Sequence, residues 1–186
     1  MTDYWFLSDP HFSHRRIIEF ANRPFQNAEE MNETIIANIN SRVKKNDYLY
    51  LGGDFAFSSQ SVDILNRLNG KIFFVFGNHD HGYNETRKKK YKNVIWWGDI
   101  KNITIDKQPI TICHYPMVSW HKSHYGAWSL YGHHHSDVSF LTKGKSMNIC
   151  VDVMGFFPVN YEQVKAYMQL CPDNWNMVKT EREALL

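Results

Sequence analysis

Ile72-Phe73-Phe74-Val75-Phe76-Gly77-Asn78-His79-Asp80 is the stretch on which the rest of the chain turns. Its five apolar residues, bounded by Asn69-Gly70 and Gly77-Asn78, read as a buried strand, which puts Asn78 and His79 where that strand ends in a loop. Side chains at such an edge can converge. An Asn carbonyl oxygen can ligate a cation, the neighbouring His can exchange a proton with a bound molecule, and Asp80 can hold that His in one tautomer. Taken alone the tetrapeptide is equally a turn, since Asn and Asp are common at strand exits.

The same grammar recurs upstream. Tyr4 to Leu7 reads as a strand, and Ser8-Asp9-Pro10-His11 as its exit. In extended backbone, residues two apart project to one side, so Asp9 and His11 can face one centre while Pro10 fixes the chain between them. The alternative is Asp9 as a cap for the helix Arg15 to Phe20. Asn27 followed by Glu30 suggests a capping box for a second helix, whose stripe of Met31, Ile35, Ile36, Ile39 and Val43 is core. Tyr48 to Leu51 is a second strand, closed by Gly52-Gly53-Asp54. The glycines permit close approach to whatever Asp54 binds, or simply make a turn with an Asp cap. Ser58 or Ser59 caps a third helix holding Val62, Ile64, Leu65 and Leu68, which Asn69-Gly70 stops. Strand, helix, strand, helix, strand predicts parallel pairing, right-handed crossovers and ligand groups at the carboxyl ends of the strands.

Beyond the polar segment from His81 to Lys92, short strands are expected at Asn93 to Trp97, Lys101 to Asp106 and Ile110 to Cys113, the last running into His114-Tyr115-Pro116. Val118 to Trp128 fits no element, with His121, Lys122, His124 and Tyr125 as candidate rim residues. Leu130-Tyr131 leads into Gly132-His133-His134-His135, where His133 and His135 share a side. An exposed histidine tract with incidental metal affinity is the alternative. Ser146 to Val153 reads as a last strand. A helix from Asn160 carries Val164, Tyr167, Met168 and Leu170 and ends at Pro172, leaving 173–186 as a peripheral tail.

The 186 residues suit a single domain, 1–186. No stretch is apolar enough to span a bilayer, and the chain passes from Met1 into a strand without a basic leader, so a cytoplasmic protein is expected. Three cysteines without C-x-x-C spacing predict reduced thiols. A net charge of +2 gives no reason to expect a nucleic-acid partner, which would enter only as substrate, and the basic run Arg87 to Lys92 reads as a solvated helix end. Histidine is the anomaly: of ten, six lie in three tight groups, His11 with His14, His79 with His81, and His133 with His135. With no Cys among the candidates, a closed structural zinc site is disfavoured, and nitrogen and oxygen donors suit Mn, Fe, Zn or Ni better than Mg alone.

In order, Asp9-x-His11, Gly53-Asp54, Gly77-Asn78-His79-Asp80, His114 and Gly132-His133-x-His135 resemble the five-block signature of the calcineurin-like metallophosphoesterase superfamily, from about residue 4 to residue 170. Ser8 to His14, Arg23-Pro24-Phe25 and His114-Tyr115-Pro116 resemble a small stand-alone prokaryotic or phage branch. The resemblance implies an α/β fold, a four-layer αββα sandwich of two mixed sheets flanked by helices. It implies two divalent metal ions, manganese foremost. Asp9, His11, Asp54 and His135 would hold one, and Asp54, Asn78, His114 and His133 the other, with Asp54 bridging. His79, oriented by Asp80, would be catalytic rather than a ligand. The implied activity is phosphoester hydrolysis, phosphodiesters first, by attack of a metal-bridging hydroxide with His79 assisting the leaving group. A phosphomonoesterase, a nucleotide pyrophosphatase and a non-catalytic binding protein are the alternatives. Nucleotides and cyclic nucleotides are candidate substrates, and His14, Arg23, His121, Lys122 and His124 candidate pocket residues. Where many relatives place a further acid after Gly-Asp, this chain has Phe55-Ala56-Phe57.

Overall fold

The computed structural model describes residues 2–57, 61–80, 91–139 and 142–178, with the backbone alone at Ser61. The expected caps Ser58 and Ser59, His81, most of the basic run and residues 179–186 lie outside the described residues. The elements in order are β1 (Tyr4–Leu7), α1 (Arg15–Phe20), α2 (Ala28–Arg42), β2 (Tyr48–Leu51), α3 (Ser61–Arg67), β3 (Lys71–Val75), β4 (Val94–Gly98), β5 (Ile100–Ile105), β6 (Gln108–Cys113), β7 (Trp128–Tyr131), β8 (Ser146–Asn148), β9 (Val159–Asn160) and α4 (Tyr161–Leu170).

Two mixed sheets result. The first has the order β4-β3-β2-β1-β9, with β1, β2 and β3 parallel, as the strand-helix alternation predicts, β4 also parallel to β3, and β9 antiparallel on β1. The second has the order β5-β6-β7-β8, an antiparallel hairpin followed by parallel strands. Successive side chains on a strand face opposite ways, so the apolar runs serve two cores. Leu7, Leu49, Leu51, Ile72 and Phe74 pack under Met31, Ile35, Ile39 and Leu65 of the helices. Phe6, Tyr50 and Val75 pack instead against Ile110, Ile112 and Leu130 of the second sheet, joined by Val164 and Met168 of α4. Two mixed sheets with flanking helices are thus present, as the resemblance implied.

Helix α2 takes half of its expected capping box: Asn27 accepts the Glu30 N–H, while Glu30 turns to the N–H of Gln26. Asn160 and Gln163 form the complete box, on α4.

Two expectations need correcting. The strand read over Ser146 to Val153 stops at Asn148. There the Ser8 N–H donates to Ile149 O (2.9 Å) and the Val151 N–H to Ser8 O (3.0 Å), so this stretch pairs with the exit of β1 and links the two sheets through the main chain. Nor is the tail, 173–186, peripheral at its start. Asn174 is buried; its amide nitrogen donates to Ser123 O (2.8 Å) and Ala127 O (2.9 Å), and its Oδ1 accepts the Lys145 N–H (2.7 Å). One amide organises the irregular segment before β7. Because buried groups left unpaired cost about 1–3 kcal/mol each, Asn174→Ala should lower the unfolding free energy by about 2–4 kcal/mol, read from a denaturant titration.

Candidate metal centre

Every candidate ligand follows the carboxyl end of a strand: Asp9 and His11 after β1, Asp54 after β2, Asn78 after β3, His114 after β6, His133 and His135 after β7. The backbone that aims them is not the extended chain expected from sequence. Asp9, His11, Asp54 and His133 have φ of 57°, 50°, 51° and 69°, the left-handed region that costs side-chain-bearing residues about 1–3 kcal/mol each. Pairing between exits holds it: the Asp9 N–H donates to Gly53 O (3.0 Å) and the His11 N–H to Asp54 O (3.1 Å). Two glycines permit the closeness. A Cβ on Gly77 would collide with the Asp54 side chain, and one on Gly132 with Ser8 and Asp9.

Two clusters form. The ligand atoms of Asp9, His11 and His135 lie within 4.8 Å of one another, and so do those of Asp54, His114 and His133. Asp54 Oδ2 stands between them, 3.7 Å from His11 Nε2 and 3.5 Å from His114 Nε2. Asn78 Oδ1 is 3.0 Å from the same His114 nitrogen. The proton inventory shows what the centre lacks. His114 Nδ1 lies 2.9 Å from Gly52 O, an acceptor only, so that nitrogen carries the hydrogen. Nε2 faces Asp54 Oδ2 and Asn78 Oδ1, and against the lowering effect of burial the Asp54 carboxylate raises the ring's pKa, so Nε2 meets these oxygens either with a proton or, around a cation, with a lone pair. His135 Nδ1 likewise faces Asp152 Oδ2 at 2.7 Å, leaving Nε2 toward His11 Nε2 at 3.2 Å. Nitrogen and oxygen atoms crowded on one centre call for positive charge there, from a proton or from a cation. The donors are nitrogen and oxygen alone, so the residues fit a pair of divalent transition-metal cations.

The family model described as calcineurin-like phosphoesterase matches residues 3–165. The chain belongs to the calcineurin-like phosphoesterase family. An uncharacterized protein, MJ1445, of Methanocaldococcus jannaschii is 32% identical over 173 residues, which cover 88% of this chain and 90% of that protein. Among solved structures, the protein of unknown function AQ665 from Aquifex aeolicus has a TM-score of 0.72 at 21% identity, covering 90% of this chain and 100% of its own, a likeness of fold. A structure described as a novel archaeal phosphodiesterase has a TM-score of 0.48 at 19% identity, covering 82% and 84%.

In this phosphoesterase-family chain, Asp80 does something other than orient His79. Its Oδ2 accepts the N–H groups of Asp54 (2.7 Å) and Gly77 (2.8 Å), and its Oδ1 that of Phe55 (2.9 Å), so its carboxylate is occupied by the main chain of two strand exits. The His79 backbone is fixed instead by Asp54 Oδ1, which accepts its N–H at 2.8 Å, and its ring, 44% exposed, has Nε2 4.0 Å from Asp54 Oδ2. His14 lies beside the site, stacked on Phe57 at 4.0 Å. Arg23 is no pocket residue: it is buried and paired with Asp152. His121 and Lys122 line a cavity with Asn102, Thr104 and Thr111 of the β5–β6 hairpin, and His124 O accepts the Val178 N–H, so these three serve the second sheet and the tail. Sequence reading missed Asp152 and Cys150, whose Sγ is 3.3 Å from Asp152 Oδ2. A lone carboxylate between Val151 and Val153 was the available signal.

Burial sets the protonation states. It pushes the Asp9 carboxyl up to about 6, against the pull of His114, and takes the His11 imidazole down to about 2. Burial also raises Asp54, but hydrogen bonding and attraction from His114 overcome it and hold that carboxyl at about 2. Asp54 is therefore ionised throughout the working range, whereas Asp9 must lose a proton before it can ligate. Cation affinity should fall as pH falls through about 6, by about tenfold between pH 7 and pH 5 from Asp9 alone, as measured by calorimetric titration of Mn(II).

Proposed function

We propose that the protein is a metal-dependent phosphoesterase acting on phosphodiesters, nucleotides or cyclic nucleotides among them. The observation that carries this reading is the convergence of Asp54 Oδ2, His114 Nε2 and Asn78 Oδ1 on one centre, beside an imidazole, His79, that the ligand set does not need. Two divalent cations, manganese first and iron, zinc or nickel as alternatives, would supply there the positive charge that draws a phosphate and activates water at neutral pH. Asp9, His11, Asp54 and His135 would hold one, and Asp54, Asn78, His114 and His133 the other. Only Asp9 and Asp54 bring negative charge to that set, so the centre stays cationic toward a phosphate.

His79 stands at the open side, where its ring can donate a proton or hydrogen bond to a leaving oxygen. An alkoxide needs that help, which is why diesters are favoured. Phe57, 40% exposed, closes the Phe55-Ala56-Phe57 stretch that stands after Asp54 where many relatives place a further acid, and its ring lies 4.6 Å from that of His79. An apolar ring there adds no charge to repel an anionic ester.

Mn-loaded protein should hydrolyse bis(p-nitrophenyl) phosphate faster than p-nitrophenyl phosphate or dinucleotides, and the reverse order would favour a monoesterase or pyrophosphatase. His79→Ala should lower kcat by about 10²–10⁴-fold with metal content retained, and Asp54→Asn should lose both turnover and metal. Turnover at the wild-type rate in both variants would overturn the reading.

A further inference from the structure

The Arg23-Pro24-Phe25 motif contributes no ligand, yet Arg23 is only 4% exposed. Its guanidinium is divided between two parts of the site. Nε and Nη2 donate to Asp152 Oδ1 and Oδ2, both at 2.8 Å, a bidentate pair. Nη1 donates to Pro10 O and Nη2 also to Asp9 O, again at 2.8 Å. Asp152 Oδ2 in turn accepts the Nδ1–H of His135. Since Pro10 is the residue between Asp9 and His11, one side chain reaches all three members of the Asp9, His11 and His135 cluster, directly or through one carboxylate.

The turn bearing Asp152 is fastened to the same motif. It opens on Val151, whose N–H donates to Ser8 O, and it closes with the Phe156 N–H on Val151 O at 2.8 Å. Phe156 adopts φ of 67°, with its ring centroid 4.9 Å from that of Phe25 and 5.8 Å from the Arg23 guanidinium carbon. The other cluster rests on different supports. Gly52 O holds His114, and Asp80 holds the backbone of Asp54.

We infer that Arg23 is a positioning residue that, through Asp152 and two backbone carbonyls, sets the ligand geometry of one cation position, the one at Asp9, His11 and His135. A carboxylate behind an imidazole fixes its tautomer and strengthens it as a ligand. Asp152 serves only while its plane is fixed, and the flat guanidinium fork fixes it where an ammonium would not. The two positions share Asp54, and the His133 N–H donates to the Asp9 carboxylate, so the second feels a smaller effect rather than none.

This rests on the same cation-binding reading as the proposed function, so the test reads binding rather than turnover. Mn(II) titrations followed by calorimetry, with metal content and melting of the metal-free protein, would compare wild type, Arg23→Lys and Asp152→Asn. Wild type should take two ions. Both variants should keep one near wild-type affinity and bind the other about 10–100-fold more weakly. Asp152→Asn keeps the side-chain volume and decides the matter if Arg23→Lys does not fold. Two ions at wild-type affinity in a cooperatively melting variant, or equal weakening of both, would overturn the inference alone. A wild type that binds no Mn(II) would overturn the proposed function with it.

Discussion

Three backbone N–H groups, from Asp54, Phe55 and Gly77, end on the single carboxylate of Asp80. They belong to the exits of β2 and β3, so one side chain ties together two loops that periodicity alone would leave independent. The consequence runs through Asp54. With its backbone held in a left-handed turn, its Oδ1 takes the His79 N–H, and Oδ2 is left aimed between His11 and His114. Main-chain bracing aims that oxygen between the two clusters. Burial pushes the Asp80 carboxyl up to about 6, and the backbone donors oppose that rise. The fourth residue of Gly77-Asn78-His79-Asp80 serves the backbone that carries the third, not its ring.

Each cluster also draws on both sheets. Asp9 and His11 leave β1 of the first sheet, while His135 leaves β7 of the second. Asp54 leaves β2, while His114 and His133 leave β6 and β7. The sheets are linked through the main chain at Ser8 and the Ile149 to Val151 strip, next to where Gly132 passes close to Ser8 and Asp9. Left-handed strain at four candidate ligands persists because hydrogen bonds between the strand exits hold it, as strain does at over-determined sites. A bound cation would therefore report, and stabilise, the packing of one sheet against the other.

Much of this was legible in the chain. Apolar runs ending in Gly-Asp, Gly-Asn or a lone His marked the strand exits, because a buried parallel strand has a continuous apolar signature and its polar exit stands out. The direction in which those exits aim their side chains was not. Asp9 and His11 were paired through an extended backbone, whereas both are left-handed, a state that no local period encodes. Arg23 looked like a pocket residue because its partner Asp152 lies 129 positions away, inside what read as a strand. Asn174 looked like tail for the same reason, since its partners, Ser123 and Ala127, are 51 and 47 residues distant. Local pattern locates elements and their ends. It says little about polar groups that are satisfied across the fold.

The Arg23–Asp152 pair also bears on charge. A cation centre that is to attract phosphate, as proposed here, would tolerate few carboxylates, yet an imidazole ligand gains from one behind it. Asp152 meets both demands because its charge is matched by the buried guanidinium at 2.8 Å. Burial would otherwise raise its carboxyl, but His135 and Arg23 hold it below the ordinary carboxylate range. His135 thus has an ionised acceptor for its Nδ1–H, while cations bound at the clusters would face only the uncompensated charges of Asp9 and Asp54. A buried ion pair of this kind adds little to stability. Its use here is to place a negative charge beside one ligand without lending that charge to the centre as a whole.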